Sequence, residues 1–217
     1  MTVHDLAAAL PRIPDLRSLC RSIAVAEAVL NPGAYRYHSF DANWSETEEV
    51  FSTRNGSGDE FDIVFSPAGA YIRGFDHESP MSPYADDAVW PGVLDSVPET
   101  FRACVEEPAF VDDGMPMVTF CLWRETDDDT WHTGRMDFPT DDSDPDGSGW
   151  MLGPLVDPRP ETFQTFAEDY YERPVDLDAV RHIFEERPLT QDVVARLNPV
   201  VSFSGIKKDA ADMGYPV

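Results

Sequence analysis

Cations are scarce in this chain. Lys207 and Lys208 are its only lysines, and with fourteen arginines they face 41 acidic side chains, a formal charge of −25 on 217 residues. A surface this negative repels phosphate backbones and disfavours nucleic-acid partners. Long apolar runs are missing as well. No eighteen consecutive apolar residues occur, which excludes a membrane-spanning helix. Met1–Leu10 carries Asp5, has no basic segment and is too short for a secretory apolar core. Residues 1–14 therefore read as a loose N-terminal arm of a cytoplasmic protein.

Cysteine is nearly absent. Cys20, Cys104 and Cys121 are odd in number and widely spaced, which argues against a disulfide framework and against a zinc knuckle. Each sits among apolar neighbours and reads as a small buried hydrophobe. No Gly-x-Ser-x-Gly elbow exists, and His4, His38, His77, His132 and His182 have no Ser or Cys partner by motif. Gly56-Ser57-Gly58 lacks the lysine of a phosphate-binding loop and reads as a turn. No internal repeat is visible.

What is present is ample core material. Apolar residues make up 42% of the chain and aromatics 12%, enough to rule out general disorder. The hydrophobic period changes once, from strand-like in the middle to helical in the last third. That pattern predicts an α+β fold with a mainly antiparallel sheet of about five to six strands. An N-terminal helix, an inserted helix and a C-terminal helical segment complete it. The expected division is the arm, an α+β domain over 15–156, and a helical segment over 157–217 packed on the same domain.

Locally, Leu16, Leu19, Cys20, Ile23 and Leu30 share one helical face, ended by Asn31-Pro32-Gly33. Strands are expected over Tyr35–Phe40, Glu48–Arg54, Phe61–Phe65 and Ala70–Phe75. Asn55-Gly56-Ser57-Gly58 and Ser66-Pro67-Ala68-Gly69 serve as their turns. A helix is predicted over Ser96–Glu107 from its capping-box spacing. Met117–Arg124, apolar on both faces, belongs at the sheet centre and pairs with Trp131–Phe138. Four C-terminal helices follow, the clearest carrying Phe163, Phe166, Ala167, Tyr170 and Tyr171, with Asp176 and Thr190 as caps of the next two.

Two segments concentrate chemistry. Gly74-Phe75-Asp76-His77-Glu78-Ser79 places Asp76, His77 and Glu78 at a strand end, where carboxylate and imidazole can hold a divalent metal or act as acid and base. Side chains alternate along an extended chain, so Asp59 or Glu60 of the neighbouring hairpin, or His38, would have to complete the site. Against this stands a rigid proline-containing loop in which Asp76 and Ser79 bond local backbone. The second segment, Asp142-Ser143-Asp144-Pro145-Asp146-Gly147, begins as a calcium loop does. Gly153 stands where the bidentate Glu belongs, which leaves a weak cation loop at Asp142, Asp144 and Asp146, or a solvated acidic loop.

Other acidic pairs and runs include Asp86-Asp87, Glu106-Glu107, Asp112-Asp113, Asp127-Asp128-Asp129 and Asp141-Asp142. They lie mostly in expected loops, some beside Trp90, Trp131 and Trp150. Aromatic anchors flanked by carboxylates suit a basic protein partner. Acidity also follows from a GC-rich or salt-adapted genome, and charge runs commonly are solvated faces.

Asn55–Glu60, Gly74–Ser79, Glu106–Phe110 and Asp144–Ser148 together resemble a bacterial protein family that has no established activity, so the resemblance transfers no functional residue. In type, the chain is also similar to small acidic α+β immunity proteins that neutralise toxins. The leading expectation is thus an acidic cytoplasmic binding protein without catalytic activity, immunity-like, holding a basic protein through Trp90, Asp127, Asp128, Asp129, Trp131 and Trp150. It has no cofactor, nucleic-acid or membrane partner. The alternative is a metal-dependent, hydrolase-like enzyme in which a divalent cation sits on Asp59, Asp76, His77 and Glu78.

Overall fold

The computed structural model describes residues 1–33, 35–139 and 142–217; Asp141, named above with Asp142, lies outside them. The fold is α+β. Its helices are α1 (Val3–Ala9), α2 (Ile13–Leu30), α3 (Pro83–Asp86), α4 (Arg102–Val105), α5 (Ser148–Val156), α6 (Pro160–Tyr171), α7 (Leu177–Phe184), α8 (Gln191–Leu197) and α9 (Phe203–Asp212). Strands β1 (His38–Asp41), β2 (Glu49–Arg54), β3 (Glu60–Ser66), β4 (Gly69–Phe75), β7 (Phe120–Glu125) and β8 (His132–Thr133) form a sheet in the order β1-β2-β3-β4-β7-β8. A separate two-stranded ribbon pairs β5 (Val111–Asp112) with β6 (Met115–Pro116). No helix of the described residues is long and apolar enough to cross a membrane.

The chain groups into two compact units: residues 1–13 with 52–156, and residues 14–51 with 157–217. This differs from the expected boundaries. In the first unit the Ser66–Gly69 turn joins β3 to β4 antiparallel, with Ile63 opposite Ile72 and Asp62 opposite Arg73. β4 then pairs antiparallel with β7, placing Ile72 opposite Leu122. Phe120, Cys121, Leu122 and Trp123 are all buried, as the two-sided apolar pattern of this strand requires. Gly69 is obligatory at its turn: its φ is +143°, and an added Cβ would lie 2.1 Å from the Arg124 carbonyl oxygen.

In the second unit α2 buries Leu16, Leu19, Cys20 and Ile23. Asp176 and Thr190 cap their helices as expected. Their side chains accept from Ala179 N at 2.9 Å and Val193 N at 3.3 Å. Of the aromatic stripe on α6, Phe163 and Ala167 are buried but Tyr170 is exposed, its ring edge-on to Tyr37 at 5.0 Å. Glu27 is fully buried, accepting from Tyr37 N at 3.0 Å and from the Tyr171 hydroxyl. His38, weighed above as a metal ligand, lies 3.5 Å from Glu27 through Nδ1.

Three expectations need correction, and one helix lies outside all of them. Residues 3–9 are not a loose arm but a helix whose Val3 and Leu6 are fully buried; Val3, Leu6 and Leu10 are spaced as one helical stripe. The inserted helix shrinks to a 3₁₀ turn, Glu99–Phe101, followed by α4. Regular pairing after Trp131 stops at Thr133, short of Phe138. Finally, α5 is a helix the sequence pattern concealed, because Pro154 lies inside it and its apolar residues are not confined to one face.

Candidate functional site

The site grows out of two turns and one helix start. In the β2–β3 connection, the Asn55 side-chain oxygen accepts from Ser57 N at 2.8 Å and Asp59 N at 3.2 Å, closing the loop over Gly56 and Gly58 at φ +80° and +115°. This turn delivers Asp59 to the end of β4. There Asp59 Oδ1 accepts from His77 N at 3.0 Å and lies 2.6 Å from His77 Nδ1, while Oδ2 accepts from Asn55 Nδ2 at 2.5 Å.

Asp76 turns the chain at the end of β4. Its Oδ1 accepts from Glu78 N at 2.9 Å and Ser79 N at 3.1 Å, and its Oδ2 accepts from Trp150 Nε1 at 3.0 Å. Local backbone bonding by Asp76 is thus part of the structure, together with a contact 74 residues away. Ser79 Oγ donates to the Pro145 carbonyl at 2.8 Å, and Thr119 Oγ1 donates to the Asp146 carbonyl at 2.8 Å. These two hydroxyls anchor the 144–150 segment beside Asp76.

The segment with calcium-loop spacing serves as the N-terminal cap of α5. Asp144 accepts from Gly149 N and Trp150 N, both at 2.8 Å. Asp146, fully buried, accepts from Ser148 N at 3.0 Å, from Ser148 Oγ at 2.6 Å, and from Val3 N at 3.0 Å. Burial pushes the Asp146 carboxyl above the usual carboxylate range, against the pull of the Ser148 and Val3 hydrogen bonds. Asp142 accepts from Asp144 N at 3.3 Å. The three aspartates therefore do not converge on a cation: Asp144 and Asp146 spend their oxygens on donors that the start of a helix leaves free.

Of the four residues proposed as metal ligands, three come together. Asp59, Asp76 and His77 each offer a ligand atom within 4.8 Å of the others; Glu78 is exposed, stands outside this group and acts on His77 only through its charge. The hydrogen bond that the His77 ring makes to the Asp59 carboxylate raises the His77 pKa above its ordinary value, against a smaller desolvation. For Asp59, burial pushes the carboxyl up, but the bonds from His77 and Asn55 outweigh it and hold the pKa below its ordinary value.

The His77 contribution to stability is complete below about pH 6.5 and is lost as pH rises through its raised folded-state value. The Asp59 contribution is present above about pH 3.9 and is lost as pH falls through its lowered value. The pair therefore supports the loop best between those limits. NMR titration should find the His77 imidazole titrating above the ordinary histidine range in the native protein and returning toward it in Asp59→Asn. An unmoved His77 titration in that variant would show that Asp59 is not the cause.

The proposed aromatic anchors separate. Trp131 is buried and its indole N–H donates to the Pro11 carbonyl at 2.8 Å, so it belongs to the core and cannot meet a partner. Trp90 is half-buried and donates to the Asp137 carbonyl at 2.9 Å. Trp150 is 46% exposed. In the 126–130 turn Asp127 and Asp129 are exposed, whereas Asp128 accepts from Glu125 N at 3.1 Å and lies 3.2 Å from His132 Nε2. Sequence reasoning missed Asn55, Thr119 and Gly147 as positioning residues. Gly147 had a readable signal, an Asp-Gly step ahead of an apolar run.

The resulting surface brings an exposed indole next to Asp76, His77, Asp59 and Asp144, all within the first unit. Comparison with known proteins places no neighbour beside it: no family model, no curated protein and no solved structure matches the chain.

Proposed function

We propose that the protein is a cytoplasmic, immunity-like binding protein without catalytic activity that holds a basic protein partner, with Trp150 as the central anchor. The observation that carries this reading is the state of Trp150. Its ring is half-exposed, yet its indole N–H is fixed on Asp76 and its backbone N–H on Asp144. An aromatic side chain fixed by one carboxylate, on a backbone fixed by another, loses little freedom on binding and is matched to Arg and Lys by charge and by its π face. The formal charge of −25 adds long-range attraction for a basic protein.

Pull-down from native extract at low and at high salt tests this. A basic protein should be retained at low salt and released at high salt. Trp150→Ala, folded by circular dichroism, should weaken retention by roughly thirtyfold, the effect of removing an interface hot spot. Recovery of no salt-sensitive basic protein, or equal recovery by Trp150→Ala, would overturn the proposal.

The convergence of Asp59, Asp76 and His77 favours one second reading, a divalent-cation site. Two carboxylates and an imidazole are a ligand set for zinc or a similar ion, which could activate water in a hydrolase-like reaction. On this reading calorimetry detects stoichiometric zinc uptake that His77→Ala loses. Identical uptake by both proteins removes His77 from the site.

A further inference from the structure

Asp59 and Asp76 have little acceptor capacity left. An ionised carboxylate offers about four lone-pair positions, two on each oxygen. On Asp76, Glu78 N and Ser79 N fill Oδ1, and the Trp150 indole N–H takes one position on Oδ2. On Asp59, His77 N and His77 Nδ1 fill Oδ1, and Asn55 Nδ2 takes one position on Oδ2. Each carboxylate keeps one open position, and on Asp76 it lies on the oxygen that holds the indole. With Nδ1 spent on Asp59, His77 keeps Nε2, which makes no hydrogen bond among the described residues.

A divalent cation held by Asp59, Asp76 and His77, whose ligand atoms lie within 4.8 Å of one another, takes that open position on Asp76. It then draws electron density from the same Oδ2 that accepts from Trp150 Nε1 at 3.0 Å. The acceptor weakens and the ring is held less firmly. The charge of the ion acts in the same direction. Asp76 bonds the indole, Asp144 bonds the Trp150 backbone and Asp59 belongs to the ligand group with Asp76. A doubly charged ion among them cancels part of the attraction they exert on a basic partner.

We propose that a divalent cation on Asp59, Asp76 and His77 and a basic partner on Trp150 oppose each other's binding, with Asp76 Oδ2 as the atom common to both. This coupling rests on the cation reading of the cluster and on Trp150 as the anchor; metal uptake releases the partner. Coupling between two binding sites is reciprocal, so the partner lowers metal affinity by the same factor. A shared oxygen and a cancelled charge place that factor at roughly tenfold, within the usual span of about 5–150-fold.

Zinc and a triarginine peptide are the probes, on the intact protein at low salt. Calorimetry first measures zinc uptake. NMR then follows the Trp150 indole N–H signal, assigned by its absence in Trp150→Phe. Stoichiometric zinc should shift that signal and raise the triarginine Kd read from it about tenfold, and a chelator should reverse both effects. Triarginine in turn should raise the zinc Kd about tenfold. Magnesium at the same concentration, a poor match for imidazole, should do neither. Asp59→Asn removes a zinc ligand and keeps the indole bond, so its triarginine affinity should not respond to zinc. The zinc–magnesium comparison on the unaltered protein stands even if that variant does not fold. Absence of zinc uptake would sink the cation reading and the coupling together. Triarginine that fails to bind the zinc-free protein would sink the coupling along with the partner reading. Zinc uptake with an unmoved indole signal and an unchanged triarginine Kd would overturn the coupling alone. An equal effect of magnesium would reduce it to charge screening and overturn it as well.

Discussion

Asp62→Ala should cost about 3–5 kcal/mol, the penalty for stripping the partner from a buried ion pair. Asp62 is 1% exposed. It accepts from Ser52 Oγ at 2.6 Å, from Arg54 Nη2 at 2.9 Å and from Arg73 Nη2 at 2.7 Å. Truncation leaves a buried guanidinium with Glu60 as its remaining counter-charge. Against a total stability typically of about 5–15 kcal/mol, that is a large share. Urea unfolding followed by circular dichroism measures it. Asp62→Asn, which keeps the shape and loses the charge, should fall between the two proteins. Asp62→Ala combined with Arg73→Met should be less destabilised than Asp62→Ala alone, because the stranded charge is gone. A cost below about 1 kcal/mol for Asp62→Ala would mean that water already reaches Arg73 and that the network does not hold the strands.

That network shows where sequence reading stops. Turn chemistry at Ser66-Pro67-Ala68-Gly69 made the antiparallel pairing of β3 and β4 legible. Counting four places outward from Ser66 and Gly69 reaches Asp62 and Arg73, which do face each other. What period-two alternation could not convey is that both faces of β3 are covered, so that Asp62, in a polar position of the pattern, is as buried as Ile63. The candidate site divides in the same way. Asp76 and His77 were visible as a dense polar strand end, and Asp59 was named from the adjacent hairpin. Trp131 looked like Trp150 in sequence, each an aromatic near carboxylates, and only tertiary packing separates the buried ring from the exposed one. Asp144 and Asp146 have cation-loop spacing because caps and calcium loops both need short oxygen-bearing side chains beside a sharp turn. The deciding difference is the helix that follows, and Pro154 hid it.

Gly147→Ala should destabilise the protein by roughly 3 kcal/mol and disturb the surface around Trp150, through two causes that add. The backbone at Gly147 has φ +76°, a left-handed conformation that costs any other L-residue about 1–2 kcal/mol. A Cβ there would also lie 2.4 Å from Asp76 Oδ2 and 2.6 Å from Asp76 Cβ. Asp76 cannot swing aside cheaply, because its two oxygens are held by Glu78 N, Ser79 N and the Trp150 indole. Relief of the clash must break at least one of those bonds, each a charge-assisted contact worth about 1.5–3 kcal/mol. The indole bond is the one most easily surrendered, since Trp150 is half-exposed and water can replace Asp76 as its acceptor. The expected readout is therefore double: a lower urea midpoint, and a red-shifted Trp150 fluorescence in a background where the other tryptophans are replaced by phenylalanine. Partner retention should fall alongside, although position 147 carries no side chain to contact anything. A variant with unchanged stability and spectrum would show that the 144–150 segment moves freely, and a rigid anchor at Trp150 would no longer be tenable.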